Sequence, residues 1–64
     1  MTNINNYQLM TVEDLAEYLR TSKGNIYNLV SKKSVPYLKM RGIGLRFDPK
    51  EIESWVLEKL NLSR

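Results

Sequence analysis

The sequence predicts a small, mainly helical domain in which a two-stranded hairpin lies between the second and third of three helices. Three observations predict this fold: apolar residues recur at helical spacing in three segments, a capping residue precedes each of them, and a glycine-containing loop joins two short apolar runs. The chain has 64 residues, the size of one domain. We expect the domain to span residues 9–60, with a frayed tail over 1–8 and a frayed end over 61–64.

The first helix is predicted to begin after Thr11 and to end near Leu19 or Arg20. Thr11 is a capping residue, and Asp14 stands three positions later, close to a capping-box arrangement. The apolar residues follow the i, i+3, i+4, i+7 spacing of one buried stripe: Val12, Leu15, Ala16 and Leu19.

A second, basic helix follows after a short turn. Ser22 is a good N-cap, and Val35-Pro36 ends the helix because proline cannot continue it. The inner stripe is Ile26, Leu29 and Val30, and the polar face carries Lys23, Asn25, Asn28, Ser31 and Lys32. Two helices joined by so short a turn are typical of a helix-turn-helix unit.

The next stretch predicts a hairpin, or wing, with strands at 37–40 and 45–47 and two glycines in its loop. Alternation puts the apolar residues of each strand on one face: Leu38 and Met40 in the first, Leu45 and Phe47 in the second. We therefore expect the wing to have an apolar side and a basic side, the latter with Lys39, Arg41 and Arg46.

The third helix is predicted to start at Asp48-Pro49, an N-cap followed by proline in the first helical position. Trp55 is expected to be the largest core residue. The full buried stripe of this helix is predicted to be Ile52, Trp55, Val56 and Leu60.

Basic residues are concentrated in the middle of the chain. The block from Tyr18 to Phe47 lacks Asp and Glu, although the net charge of the chain is only +3. Such segregation is typical of a surface that binds a polyanion. The alternative is a basic face that is only solvated. The bases of this block are Arg20, Lys23, Lys32, Lys33, Lys39, Arg41 and Arg46.

Several function classes are disfavoured. Without cysteine the chain has no disulfide or thiolate zinc site, which fits a reducing cytoplasm, and without histidine it lacks the usual metal ligand and general base. No nucleophile or nucleotide-binding motif is present. We therefore expect no enzymatic activity, no metal and no cofactor.

No apolar run approaches the roughly 20 residues of a membrane span, and the N-terminal residues do not form a secretory signal.

The second helix carries residue types that read duplex DNA. In the major groove, Asn25 and Asn28 can bond adenine, and Lys23 can bond guanine or phosphate. Ser22 and the free N–H groups of the first turn can hold a phosphate, and Gly24 lets the backbone approach a strand closely. The alternative is an ordinary exposed polar helix. The candidate contacts are Ser22, Lys23, Gly24, Asn25, Asn28 and Lys32.

The wing supplies a second set of candidate DNA contacts. Arginine is favoured in narrow minor grooves. Lys39, Arg41 and Arg46 would reach phosphates or the minor groove beside the second helix. The alternative is a hairpin that closes the core while its charges are merely solvated.

The chain resembles the small excisionase-type DNA-binding domains, relatives of the MerR winged-helix domain. The resemblance covers residues 9–57 and lies in the segments MTVEDLAEYL, SKGNIYNLV, VPYLK and LRFDPKEIESWV. It implies a winged helix-turn-helix with the second helix in the major groove and the wing at the adjacent minor groove. Arg20 and Ser34 depart from the family pattern, which often has glycine at these places. The implied helix contacts are Ser22, Lys23, Asn25, Tyr27 and Asn28.

The resemblance also implies a role in a bacterial phage or mobile element. Some family members bend DNA at direct repeats and recruit an integrase for excision, and others regulate transcription. Double-stranded DNA, an integrase or recombinase, and a second copy on tandem sites are the implied partners, in the cytoplasm and on the nucleoid. No small-molecule effector is expected, because the effector domain and dimerisation helix of MerR regulators do not follow.

Two alternatives remain open. One is a protein-interaction module of the adaptor or antitoxin type, which would dock through its acidic first and third helices without binding DNA. The other is an RNA-binding domain, which the basic block permits but the helix geometry does not favour.

Overall fold

The computed structural model describes residues 8–62, and the burial of side chains as far as residue 60. Its three helices and two strands are α1 (Val12–Leu19), α2 (Lys23–Ser31), β1 (Leu38–Met40), β2 (Gly44–Arg46) and α3 (Pro49–Leu62). The strands form an antiparallel hairpin. This architecture confirms the predicted mainly helical fold with a two-stranded wing. The predicted tail over 1–8 lies outside the described residues except for Gln8, and so do the last two residues of the predicted end over 61–64.

The predicted helix starts are confirmed by their hydrogen bonds. In the capping box of α1, the Asp14 N–H donates to Thr11 Oγ1 (3.1 Å) and the Thr11 N–H donates to Asp14 Oδ2 (3.0 Å). Ser22 Oγ accepts from the Asn25 N–H at 3.1 Å and caps α2. Asp48 Oδ1 accepts from the Lys50 N–H at 2.9 Å at the start of α3.

The helices α1 and α2 end in the same way, with a basic residue in the left-handed conformation. The φ angles are 58° at Arg20 and 55° at Lys33. In each case the next N–H reaches back five residues, from Thr21 to the Ala16 carbonyl (2.9 Å) and from Ser34 to the Leu29 carbonyl (2.8 Å). Glycine usually occupies this position, because a side chain there costs roughly 1–2 kcal/mol. After α2 the glycine-like position is thus occupied by Lys33 and not by Ser34.

The core contains one buried residue cluster to which both helices of the helix-turn-helix, the wing and α3 contribute. Phe47 and Ile26 are fully buried within it. Phe47 is also held by its backbone, because its N–H and carbonyl both pair with Met10 at 2.8 Å in an isolated antiparallel bridge. The buried residues are Val12, Leu15, Ala16, Ile26, Val35, Phe47 and Ile52.

The predicted core stripe of α3 is only partly correct. Phe47, and not Trp55, is the largest fully buried side chain. Trp55 is half-buried at the edge of the cluster, and its indole N–H donates to the Ser34 carbonyl at 2.9 Å. Leu60 is 56% exposed. The reason is length: α3 has 14 residues, about 21 Å of helix, whereas its partners have 8 and 9 residues. The last turns of α3 therefore extend past the core.

The predicted division of the wing into an apolar and a basic side is wrong. The register pairs Leu38 with Arg46 and Lys39 with Leu45, so each face of the hairpin carries an apolar and a basic residue. The physical reason is a shift of one residue. A four-residue loop would pair Met40 with Leu45, but Gly44 joins β2 and pairs with Met40. A one-residue shift moves every side chain of a strand to the other face.

Two glycines produce this register. Gly42 (φ 78°) stands in the third position of a turn that the Ile43 N–H closes on the Met40 carbonyl at 3.0 Å. Gly44 (φ 107°) begins the returning strand in a conformation that other residues rarely adopt. As a result Leu45 and Phe47 turn toward the core, whereas Leu38 lies on the outer face with Arg46.

Phe47→Ala is expected to unfold the domain. Truncating a buried phenylalanine costs about 3–5 kcal/mol, which equals the whole net stability of a core this small. Thermal melts followed by circular dichroism measure the effect. Leu60→Ala is the matched control: its side chain is exposed, so its melting curve should stay close to that of the wild type. A cooperative melt of Phe47→Ala at the wild-type temperature would contradict this account of the core.

Candidate nucleic-acid interface

The outer face of α2 is a free polar surface. In α2 only Ile26 is buried, and Leu29 and Val30 are half-buried against the core cluster. Tyr27, which the family resemblance places among the helix contacts, is 54% exposed. All seven helix candidates are exposed: Ser22, Lys23, Gly24, Asn25, Tyr27, Asn28 and Lys32.

The first turn of α2 is held by two side-chain hydrogen bonds. Ser22 Oγ accepts from the Asn25 backbone, and the Asn25 amide donates from Nδ2 to Thr21 Oγ1 at 2.8 Å. These contacts orient Asn25 but use only one of its two amide hydrogens. Asn28, one turn further on, makes no side-chain hydrogen bond to any residue in the described part of the chain. Two amide groups are thus presented on adjacent turns of one exposed helix.

Lys23 is paired with an acidic residue of α1. Its Nζ lies 3.7 Å from Glu13 Oε2, and the two side chains are 57% and 68% exposed. An ion pair this exposed contributes at most about 1 kcal/mol, so a phosphate can replace the carboxylate as partner of Lys23. Glu13 was not predicted as a neighbour of this site, because only the packing of α1 on α2 brings the two residues together.

Gly24 has no role in the fold itself. Its φ is not positive, and a Cβ built on it would meet nothing closer than Ser22 Oγ at 3.9 Å. Glycine in a helix interior costs up to about 1 kcal/mol relative to alanine. The residue therefore leaves bare backbone on the exposed face of α2 at a cost that no contact within the described residues accounts for.

The basic residues of the wing are not equivalent. Lys39 and Arg41 are exposed, the former in β1 and the latter at the start of the loop. Arg46 is half-buried, and its Nη1 donates to the Leu45 carbonyl at 2.7 Å. Since Lys39 and Arg46 lie on opposite faces of the hairpin, the wing does not present all three charges on one side.

An open groove connects α2 with the wing. Tyr27 from α2 and Arg46 from β2 both line it, together with the start of α1. Ile43 at the wing tip also lines it and is 54% exposed. Sequence reasoning missed Ile43, although an isoleucine between two loop glycines has little chance of burial. Lys39 and Arg41 lie outside this groove. The full lining is Thr11, Val12, Glu13, Tyr27, Ile43, Gly44, Leu45 and Arg46.

Two other kinds of site are absent from the described residues. Over residues 8–62 no group of three or more Asp and Glu side chains is arranged to hold a metal ion. In the same range no helix is both long enough and apolar enough to cross a membrane.

Comparison with known families agrees with this geometry. A family model described as a helix-turn-helix domain matches residues 9–60, which is most of the chain. No curated protein and no solved structure gave a match. The matched range includes α1, the turn, α2, the wing and most of α3. The chain therefore belongs to this helix-turn-helix family of excisionase-like small DNA-binding domains.

Proposed function

We propose that this domain binds double-stranded DNA sequence-specifically, with α2 in the major groove and the wing on the backbone or the adjacent minor groove. The observation that carries the proposal is the outer face of α2. It is exposed, free of acids and rich in amide and ammonium groups, and it includes a glycine that the fold does not need. These are the properties of a helix that fits closely against a polyanion.

The dimensions of α2 suit this role. An α-helix fits the major groove, which is about 12 Å wide, and its N-terminal residues reach base edges. In α2 these residues are Lys23 and Asn25, followed one turn later by Asn28. The amides of Asn25 and Asn28 match the N6 and N7 groups of adenine. Ser22 and the bare backbone at Gly24 would lie against a phosphate, where the helix dipole favours negative charge.

The groove between α2 and the wing explains how both elements would bind at once. If α2 lies in the major groove and the wing in the minor groove, one sugar-phosphate strand must pass between them. The groove is lined by Tyr27 from α2 and by Arg46 from β2, which supports this arrangement. A phosphate in this groove would compete with Glu13 for Lys23, which lies within 4 Å of that carboxylate.

The finer role follows from the family. We propose an excisionase-like architectural factor or a small transcriptional regulator of a phage or mobile element, acting in the cytoplasm and on the nucleoid. Its partners would be DNA and an integrase or recombinase, or a second copy on tandem sites. The domain would carry out no reaction and need no cofactor or small-molecule effector. One such module buries about 600–1,000 Å² on DNA, so tandem sites or a partner protein would raise its occupancy.

A protein-interaction module is the second candidate, and the exposed end of α3 favours it. Leu57 and Leu60 are both more than half exposed and stand three residues apart, on one side of the helix. A partner protein could cover this apolar surface. The two functions are separable, because glutamine substitutions at Leu57 and Leu60 would reduce binding of a partner protein and leave DNA binding unchanged.

Lys23→Ala combined with Arg46→Ala is expected to weaken DNA binding about tenfold or more at moderate salt, because each side chain would contact a phosphate. The slope of log affinity against log salt should fall by about 0.9 for each lost contact. Fluorescence anisotropy with a labelled duplex over a salt series measures both. Lys50→Ala with Lys59→Ala is the control, since it removes the same charge from α3. Equal binding by the two double variants would contradict the placement of DNA on α2 and the wing.

Gly24→Ala is expected to weaken DNA binding without lowering the stability of the domain. The melting temperature should stay the same or rise, because alanine favours the helix and its Cβ has room in the free domain. The affinity for duplex DNA should fall, because the Cβ would occupy space against the DNA strand. Ser31→Ala, at the other end of α2, is the control for helix propensity and should not weaken binding. If Gly24→Ala binds DNA as tightly as the wild type, the claim that the backbone at Gly24 lies close to the DNA strand is wrong.

A further inference from the structure

Arg20 and Lys33 hold a backbone conformation that neither residue favours. Among the described residues they are the only non-glycine residues with positive φ, at 58° and 55°. Each ends a helix, and the hydrogen bonds of each helix end require the left-handed backbone. Glycine would supply the same geometry without the steric conflict between a Cβ and the backbone.

Neither side chain has a direct partner within the described part of the free domain. Both residues are exposed, and neither side chain forms an ion pair or hydrogen bond with any residue of the described range 8–62. The backbone hydrogen bonds of Thr21 and Ser34 depend on the left-handed backbone of the preceding residue and not on its arginine or lysine side chain. The fold therefore accounts for the conformation at these positions, and for the positive charges it offers only the weak attraction of the helix dipole at the C-terminal ends of α1 and α2. Strained residues of this kind occur where the side chain serves binding.

Arg20 and Lys33 lie at opposite ends of α2. Arg20 precedes α2 by three residues, and Lys33, next to Lys32, follows it by two, so positive charge flanks each end of the helix. Nine residues of α-helix span about 14 Å, close to the roughly 12 Å width of the major groove. When α2 lies in that groove, both ends of the helix meet the sugar-phosphate strands that border it.

Given the DNA binding proposed above, we propose that Arg20 and Lys33 clamp the two ends of α2 to the phosphates on either side of the major groove. Guanidinium and ammonium groups form charge-assisted hydrogen bonds with phosphate oxygens. Such contacts fix the position and orientation of a helix without reading sequence. They would hold α2 in place while Asn25 and Asn28 contact bases.

Glycine variants test the clamp, because they are expected to raise the melting temperature and to lower the affinity for DNA. Arg20→Gly, Lys33→Gly and the double variant should each melt at a higher temperature than the wild type, since glycine relieves the conformational strain. Each should bind random-sequence duplex roughly three- to tenfold more weakly, and the log–log salt slope should fall by about 0.9 per variant and about 1.8 for the double variant. Random duplex is the suitable probe because phosphate contacts do not depend on sequence.

Three control variants isolate the charge. Arg20→Lys and Lys33→Arg retain a positive charge at the left-handed position and should bind with the wild-type affinity and salt slope. Lys59→Gln removes one charge from α3 and should change the affinity little.

Two outcomes would overturn the clamp alone. One is glycine variants that melt higher but bind DNA with unchanged affinity and slope. The other is a lower melting temperature, which would show that the side chains support the fold. Failure of the wild-type domain to bind any duplex at about 50 mM salt would instead overturn the proposed DNA binding, and the clamp with it.

Discussion

The position of the wing depends on Phe47. Its side chain is completely buried, and both of its backbone groups are bonded to Met10, the residue before the capping box of α1. The next residue, Asp48, caps α3. One phenylalanine thus joins the segment that leads into the helix-turn-helix, the end of the hairpin and the start of the last helix. In a domain this small, where little apolar surface is buried, such a junction has no substitute elsewhere in the core.

The candidate DNA surface follows from that junction. The α1 helix packs on α2 and leaves the polar face of α2 outward, and the bridge between Met10 and Phe47 holds the wing beside the start of α1. The groove between α2 and the wing is lined by residues of α1, α2 and the wing. The helix packing and the backbone bridge hold these three elements side by side. Of the residues that line this groove, only Val12 belongs to the buried cluster, and the side chains proposed to contact DNA lie outside that cluster.

Local features were predictable from the sequence and long-range features were not. The capping box of Thr11 and the proline start of α3 depend on residues a few positions apart, so their patterns predict them reliably. The register of the wing depended on whether Gly44 belongs to the loop or to the strand, and a difference of one residue reversed the faces. The contact of Lys23 with Glu13 arises only from packing between helices. The exposure of Leu60 reflects the unequal lengths of α3 and its partners, which no periodicity within α3 reveals.

Binding of the purified domain to duplex DNA tests the central claim most directly. A gel-shift titration would compare DNA from around its own gene with random duplex at several salt concentrations. We predict a preference for one fragment and an affinity that falls with salt on a log–log slope of several units, about 0.9 for each phosphate contacted. No shift of either DNA at about 50 mM salt, by a domain that melts cooperatively, would contradict DNA binding and favour the protein-interaction surface on α3.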